Sequence, residues 1–184
     1  MQSLVVIFGP MFAGKSTKLI ELASEHSAEK HLVFKHQRDQ ARSADMLSSH
    51  EKELHGRVPA RPINSLWQII EYIEPDTKWV FVDETQFFDG AEMVFFVERF
   101  QEKFANVNFV FAGLDLKFTG EPWEAMRYLI GKATETYQIW STCARCNQAA
   151  THTHLKGEVE SIGGAELYEP RCKPCHDLAK HRLA

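Results

Sequence analysis

The chain of 184 residues lacks a long apolar run, an excess of basic residues and a high cysteine content. No stretch approaches the roughly 20 apolar residues that a membrane-spanning helix needs, so we expect no membrane partner. Lys and Arg number 21 against 25 Asp and Glu, and the resulting charge of -4 disfavours nucleic acid as the main partner. The apolar run Leu4–Phe8 is too short for a secretory signal, so we expect a cytoplasmic protein whose cysteines are not joined in disulfides.

The composition suits an α/β domain of ordinary size, because 44% of the residues are hydrophobic and 25% are charged. Short apolar runs predict strands at Leu4–Phe8, His31–His36, Trp79–Glu84 and Asn108–Gly113. Helices are predicted at Lys15 to about Glu29, Ser65–Ile73 and Ala91–Phe104. This alternation indicates a central parallel sheet flanked by helices with right-handed crossovers.

Two other segments give weaker patterns. The polar segment Asp39–Pro62 shows no clear period, and we predict a flexible loop with room for one strand. The histidines of Lys35–His55 and of His152–His154 are interpreted as solvated loop side chains. The apolar residues of Ala91–Phe104 cover more than a single stripe, which fits either a subunit interface or burial under a loop.

The segment Gly9–Thr17, GPMFAGKST, matches the pattern G-x-x-x-x-G-K-[ST] between a predicted strand and a predicted helix. Glycines let backbone N–H groups surround phosphate oxygens, and the helix N-terminus adds its positive end. Lys15 would reach the β and γ phosphates, and the Ser16 hydroxyl would bind Mg²⁺. The alternative is a chance glycine turn, but the strand and helix favour a nucleoside triphosphate site. We call this segment the phosphate loop; it comprises Gly9, Pro10, Met11, Phe12, Ala13, Gly14, Lys15, Ser16 and Thr17.

Asp83 and Glu84 come at the carboxyl end of the predicted strand Trp79–Glu84. In an open parallel sheet, ligands bind at this edge. One carboxylate could hold Mg²⁺, and the other could take the proton of the group that attacks the γ phosphate. The alternative is a solvated strand end, which the upstream phosphate loop disfavours.

The four cysteines occur as two C-x₂-C pairs, Cys143 with Cys146 and Cys172 with Cys175. Four thiolates in this spacing are typical of a closed, structural Zn²⁺ site. A redox pair or disulfides would not explain why there are two pairs, and His176 is not needed as a ligand. The composition changes after Thr142, so we predict a nucleotide-binding kinase domain at 1–140 and a zinc-binding subdomain at 141–184.

These motifs, in this order, resemble the type II thymidine kinase family, the cytosolic and bacterial kind. GPMFAGKST is similar to that family's GPMFSGKS, and VDETQFF is similar to its DExQFF. GLDLKFTGEPW resembles GLDxxFxGxPF, and IGGAELYEPRCKPCH resembles the ending IGGxxxYxxxCRxCH. The resemblance spans nearly the whole chain.

The resemblance implies a P-loop fold and transfer of the γ-phosphate of ATP to the 5′-hydroxyl of thymidine, giving dTMP and ADP. It implies that Glu84 is the general base, that Asp83 and Ser16 hold Mg²⁺, and that the segment between the cysteine pairs is a lasso over the nucleoside. It further implies a homotetramer and feedback inhibition by dTTP. The implied thymidine contacts are Met11, Phe87, Leu114, Phe118, Val159, Glu160, Ser161, Ile162 and Tyr168.

The chain departs from the family pattern in several places. The family shows D-x-R after its second strand, whereas Asp39–Arg42 contains one extra residue. Trp123 replaces a usual phenylalanine, Lys117 stands where an uncharged or acidic residue is common, and the lasso is short. These changes affect fine specificity more than the type of reaction.

Two other functions remain open at this point. One is a kinase for another nucleoside, since uracil differs from thymine by a single methyl worth about 1 kcal/mol. The other is a nucleic-acid-binding ATPase with a zinc ribbon. Basic residues near the C-terminus are offset by acidic ones, which disfavours that second function.

Overall fold

The structure is a computed structural model that describes residues 2–38, 46–48, 57–157 and 161–180. The predictions for the Asp39–Arg42 insertion and for Val159 and Glu160 lie outside these residues. The strands are β1 (Leu4–Phe8), β2 (His31–His36), β3 (Met46–Ser48), β4 (Arg57–Pro59), β5 (Arg61–Ile63), β6 (Trp79–Asp83), β7 (Asn108–Gly113), β8 (Glu135–Gln138), β9 (Ser141–Thr142), β10 (Ala149–Ala150), β11 (His152–Leu155) and β12 (Tyr168–Arg171). The α-helices are α1 (Lys15–Glu25), α2 (Gly90–Lys103), α3 (Glu124–Lys132) and α4 (Lys173–Lys180).

A six-stranded sheet forms the centre of the molecule, with the order β5-β2-β6-β7-β1-β8. Every neighbouring pair in it is parallel. The four predicted apolar strands occupy its middle, where both faces are covered and continuous apolar runs are favoured. The predicted α/β fold with a central parallel sheet is therefore confirmed.

Alternate side chains of β1 enter two different cores, as expected from the period of two in a strand. Leu4 and Val6 pack with α2 and α3, and a cluster of phenylalanine rings lies on that face. Val5 and Ile7 pack on the opposite face against α1. This arrangement fixes the carboxyl ends of β1, β6 and β7 at one edge of the sheet.

Two helical predictions differ in detail from the structure, and one helix was missed. Helix α1 ends at Glu25 rather than near Glu29. The segment Leu66–Tyr72 is a 3₁₀ helix, and Ser65 caps it as expected: its Oγ accepts a hydrogen bond from the backbone N–H of Trp67 at 3.3 Å. Helix α3 was not predicted, although its buried residues Ala125, Met126 and Leu129 have helical spacing.

The wide apolar set of α2 is used largely inside the monomer. Met93, Phe96, Val97 and Phe100 are buried in the core beneath the sheet. Phe95 is the exception, because 60% of its surface is exposed. Burial therefore explains most of this pattern, and Phe95 remains available for an interface.

The segment predicted as a loop between Asp39 and Pro62 contains more strand than expected in its described part. Strands β3 and β4 pair antiparallel, and β5 adds to the edge of the central sheet beside β2. Beyond β8, two further antiparallel pairs, β9 with β10 and β11 with β12, precede α4. Among the described residues, no helix has the length and apolar character needed to cross a membrane.

The prediction that the histidines are solvated is wrong for three of them. His36 is the last residue of β2 and is buried, with its ring 4.7 Å from that of Phe88. His152 and His154 lie half-buried on β11, and their rings are 4.9 and 5.7 Å from the ring of buried His176. Sheet pairing and ring packing, which a polar local sequence does not reveal, account for this burial.

Candidate active site

The phosphate loop connects β1 to α1 through backbone conformations that most residues avoid. Gly9 has φ +147° and Gly14, the N-cap of α1, has φ +88°. Phe12 also has a positive φ of 63°, and such a conformation in a bulky residue is typical of functional loops. The loop therefore turns sharply, as do loops whose backbone N–H groups bind anions.

Two polar side chains of the phosphate loop are hydrogen-bonded within the protein. The Lys15 ammonium donates to the Pro10 carbonyl oxygen at 2.7 Å. The Ser16 hydroxyl donates to Oδ2 of Asp83 at 2.7 Å. The start of α1 and the end of β6 thus meet at one point, and a hydroxyl and a carboxylate oxygen are both ligands that Mg²⁺ accepts.

The Asp83 carboxyl is strongly affected by its surroundings. Its burial, followed by the negative charge of Glu84, raises the pKa of Asp83 to about 7. Hydrogen bonds from Ser16 and from the Glu84 backbone, and the charge of Lys15, act in the opposite direction. A cation at this position would favour the ionised carboxylate. The donor set therefore fits a hard divalent cation.

Glu84 does not continue β6, contrary to the prediction of a strand through this residue. The strand ends at Asp83, and Glu84 takes a left-handed conformation with φ 55° and ψ 36°. Both carboxyl groups nevertheless line the same cavity. Left-handed backbone in a residue other than glycine is costly and is concentrated at functional sites.

The Glu84 carboxylate is held by a buried glutamine. Oε2 of Glu84 accepts a hydrogen bond from Nε2 of Gln86 at 2.7 Å. The other end of that amide, Oε1, accepts from the backbone N–H of Leu114 at 3.0 Å. Sequence reasoning missed Gln86, and the signal available was its place two residues after a predicted catalytic carboxylate.

The phosphate loop and the end of β6 open into a cavity of about 310 Å³. Three of the residues predicted to bind phosphate or metal belong to the phosphate loop but do not line this cavity: Gly9, Pro10 and Ala13. The predicted residues that do line it are Met11, Phe12, Gly14, Lys15, Ser16, Thr17, Asp83, Glu84, Phe87, Leu114, Phe118, Ser161, Ile162 and Tyr168. The fold thus brings most of the predicted phosphate residues and most of the predicted nucleoside residues to one cavity.

Other residues lining the same cavity were not predicted as site residues. They are Arg38, Gln86, Gly113, Leu116, Lys117, Trp123, Thr153, Gly163 and Gly164. The two unusual residues noted in the sequence contact one another, with Nζ of Lys117 5.4 Å from the ring centre of Trp123. Trp123 also packs edge-on against Phe87 at 6.1 Å. These two departures from the family pattern, Lys117 and Trp123, therefore lie next to one another in the cavity wall.

Arg38 reaches the cavity by way of buried His36. The backbone N–H of Arg38 donates to Nδ1 of His36 at 3.1 Å. Burial, together with the charge of Arg38, lowers the pKa of His36 to about 4. The ring is therefore neutral at physiological pH and carries one N–H. Because the Arg38 N–H can only donate, it selects the tautomer in which Nδ1 accepts and Nε2 carries the proton.

The C-terminal hairpin β11–β12 closes one side of the cavity and is bonded to the phosphate loop. The Thr153 hydroxyl accepts a hydrogen bond from the backbone N–H of Met11 at 3.0 Å. The Tyr168 hydroxyl donates to the Ser161 carbonyl oxygen at 2.7 Å. Residues on both sides of the predicted boundary near residue 140 thus contribute to one cavity.

The four cysteines converge beside this hairpin. Their Sγ atoms all lie within 4.8 Å of one another, and those of Cys146 and Cys172 are 3.5 Å apart. A tetrahedral zinc site with Zn–S bonds of about 2.3 Å requires sulfurs ~3.8 Å apart. The hydrogen bond that the Cys175 thiol donates to Cys172, together with burial, raises the pKa of Cys175 to about 12, and a bound cation would instead favour the thiolate. The cluster could therefore bind zinc.

A comparison with protein families agrees with this geometry. The family model described as thymidine kinase matches residues 2–176. The match covers the phosphate loop, the carboxylates after β6, the cavity wall and both cysteine pairs.

Proposed function

Since the chain belongs to the thymidine kinase family, we propose that it transfers the γ-phosphate of ATP to the 5′-hydroxyl of thymidine. The products are dTMP and ADP, as in salvage of pyrimidine deoxynucleosides. The observation that carries this proposal is the meeting of Ser16 with Asp83 beside Glu84 at one end of the cavity. The aromatic and apolar walls at its other end suit a flat base.

ATP would be held by the phosphate loop. Lys15 would exchange its bond with the Pro10 carbonyl for phosphate oxygens. Ser16 and Asp83 would hold Mg²⁺, which when bound neutralises charge on the phosphates. Asp83 itself is buried, so water would screen its interaction with a cation less than at an exposed site.

Thymidine would lie between the side chains of Phe87, Phe118 and Tyr168, with the backbone of residues 159–162 reading the edge of the base. Its 5′-hydroxyl would face Glu84. The hydroxyl oxygen forms the new bond to the γ-phosphorus, the bond from that phosphorus to the β–γ bridging oxygen breaks, and ADP leaves. The proton of the hydroxyl passes to the Glu84 carboxylate.

The remaining features of the proposal concern assembly and regulation. The cysteine cluster would hold structural zinc and so support the lasso over the nucleoside. Membership of the family supports a homotetramer and feedback inhibition by dTTP as further parts of the proposal. The exposed Phe95 on α2 is compatible with such an assembly.

The experiment is an ADP-release assay of the purified chain with ATP and Mg²⁺. We expect turnover that depends on thymidine, and single-stranded DNA should not replace the nucleoside. Deoxyuridine in a parallel series measures the contribution of the thymine methyl group. ATP hydrolysis that depends on DNA and not on thymidine would refute the proposed reaction.

The role of Glu84 is tested with Glu84→Gln, which keeps the size of the side chain but cannot take the proton. General bases contribute about 10²- to 10⁴-fold, so kcat should fall at least about a hundredfold with ATP binding nearly unchanged. Glu102→Gln, on the exposed side of α2, is the matched control. Near-normal turnover of Glu84→Gln would place the base elsewhere.

A further inference from the structure

Gln86 occupies a fully enclosed position between two parts of the candidate active site. Only 2% of its surface is exposed, and it lies in the short 3₁₀ turn that follows Glu84. Both ends of its amide are hydrogen-bonded: Nε2 to the Glu84 carboxylate at 2.7 Å and Oε1 to the Leu114 N–H at 3.0 Å. A buried side chain with both ends engaged in this way has a single orientation.

That orientation follows from chemistry as well as from distance. A backbone N–H can only donate, so the amide atom facing Leu114 must be the carbonyl oxygen. The amide nitrogen is then directed at Glu84, whose ionised carboxylate can only accept. Rotating the amide by half a turn would oppose donor to donor at Leu114 and acceptor to acceptor at Glu84. Both hydrogen bonds therefore require the same orientation of the Gln86 amide.

The end of β7 leaves just enough room for this arrangement. A Cβ atom placed on Gly113 would lie 2.8 Å from Oε1 of Gln86 and 2.9 Å from Sδ of Met126. Both distances are shorter than real Cβ contacts, so a side chain at this position would press on the amide. The sequence Gly113-Leu114 thus provides both the space for Gln86 and the donor that orients it.

We propose that Gln86 is a positioning residue that fixes the Glu84 carboxylate relative to Leu114, and so couples the proton acceptor to the nucleoside side of the cavity. The inference rests on the proposed function, in which Glu84 takes the proton of the 5′-hydroxyl and Leu114 contacts thymidine. A glutamate side chain has several rotatable bonds, and an unsupported carboxylate would sample many orientations. The charge-assisted bond from Gln86 selects one of them before the substrate arrives.

The first test is Gln86→Met, which keeps the length of the side chain and removes both hydrogen bonds. Loss of a hydrogen bond to a charged group predicts a fall in kcat of about tenfold to a hundredfold, with the KM for ATP changed by less than about twofold. The matched control is Gln138→Met at an exposed position of β8, which should leave kcat unchanged.

A double-mutant cycle separates positioning from a general structural defect. If Gln86 acts through Glu84, adding Gln86→Met to Glu84→Gln should lower kcat little further, because the base is already lost. A defect in folding or in the cavity would lower kcat by the same factor in both backgrounds, and that result would overturn the inference. Near-normal turnover of Glu84→Gln itself would overturn both the proposed base and this inference.

The variant Gln86→Glu provides a second test in case Gln86→Met does not fold. The new carboxylate still accepts from Leu114, but it removes the donor and faces Glu84 with a like charge. We expect kcat to fall at least as far as in Gln86→Met. If Gln86 served only to anchor Leu114, Gln86→Glu would keep kcat within about twofold of the parent, and that outcome would refute the inference without touching the proposed reaction.

Discussion

The phosphate loop offers a direct measure of how much its shape depends on glycine. Gly9 and Gly14 both have positive φ, but they differ in the space around them. A Cβ atom on Gly9 would lie 1.9 Å from the backbone carbonyl oxygen of Ile139, whereas one on Gly14 would meet nothing within 4 Å. Gly9→Ala and Gly14→Ala therefore form a pair in which only the first adds a collision to backbone strain.

The expected costs follow from these two terms. A positive φ costs an alanine about 1–2 kcal/mol in either variant. In Gly9→Ala the carbonyl of Ile139 must also move, although its own N–H is hydrogen-bonded to Phe8 O at 2.8 Å. Displacing this packed backbone and weakening that bond adds about 2–3 kcal/mol. We therefore expect a loss of about 3–5 kcal/mol for Gly9→Ala and about 1–2 kcal/mol for Gly14→Ala.

Urea unfolding of both variants without nucleotide gives the comparison, since bound ATP would stabilise each variant differently. For a chain of this length, the larger loss corresponds to a fall in Tm of roughly 6–20 °C. Equal losses of unfolding free energy in the two variants would show that the Gly9–Ile139 approach does not constrain the loop. A Gly9→Ala protein as stable as the parent would refute the account of the turn altogether.

Three further predictions concern metal and protons. Burial and the charge of Glu84 raise the pKa of Asp83 to about 7, so protons should compete with Mg²⁺ for this carboxylate. The Mg²⁺ concentration for half-maximal turnover should therefore rise about tenfold from pH 8 to pH 6. A Mg²⁺ concentration for half-maximal turnover that does not change with pH would contradict this prediction. Cys143→Ser should lower the zinc content below one ion per chain and loosen the lasso, which native mass spectrometry and limited proteolysis would detect. A parent protein that is fully active without metal would refute a structural role for zinc. Because the pKa of His36 is lowered to about 4, its side chain binds a proton more readily in the unfolded state than in the folded state. The unfolding free energy should therefore fall as the pH drops from about 6.5 to 4. His36→Phe should remove this contribution, which urea titrations of both proteins at several pH values would measure.

The sequence predicted those parts of the fold in which one local pattern coincides with one element. The apolar runs of β1, β2, β6 and β7 are buried on both faces, so each stands out without any knowledge of its neighbours. The phosphate loop stands out for a similar reason, since its spacing is imposed by phosphate geometry. The two C-x₂-C pairs likewise predict a cysteine cluster without any knowledge of the fold that brings them together.

What the sequence did not reveal depends on contacts between distant segments. His36 is polar and precedes a polar segment, yet its burial depends on the rings of Phe87 and Phe88. The position of Gln86 two residues after Glu84 was visible in the sequence, but its burial and its hydrogen bond with Leu114 depend on the neighbouring strand β7. The left-handed turn at Glu84 was also hidden, because a non-glycine residue gives no local signal of positive φ. Such features arise only when strands are ordered in the sheet.

The hydrogen bond from the Met11 N–H to the Thr153 hydroxyl has a consequence for how the chain can change. It joins the turn that would grip ATP to the hairpin whose second strand starts at Tyr168 and runs into Cys172. A chimera in which a different zinc-binding module replaced the segment after residue 140 would therefore affect the phosphate loop as well as the nucleoside side of the cavity. Composition separates the two segments, but replacing either of them would change the surroundings of this hydrogen bond and so of the phosphate loop.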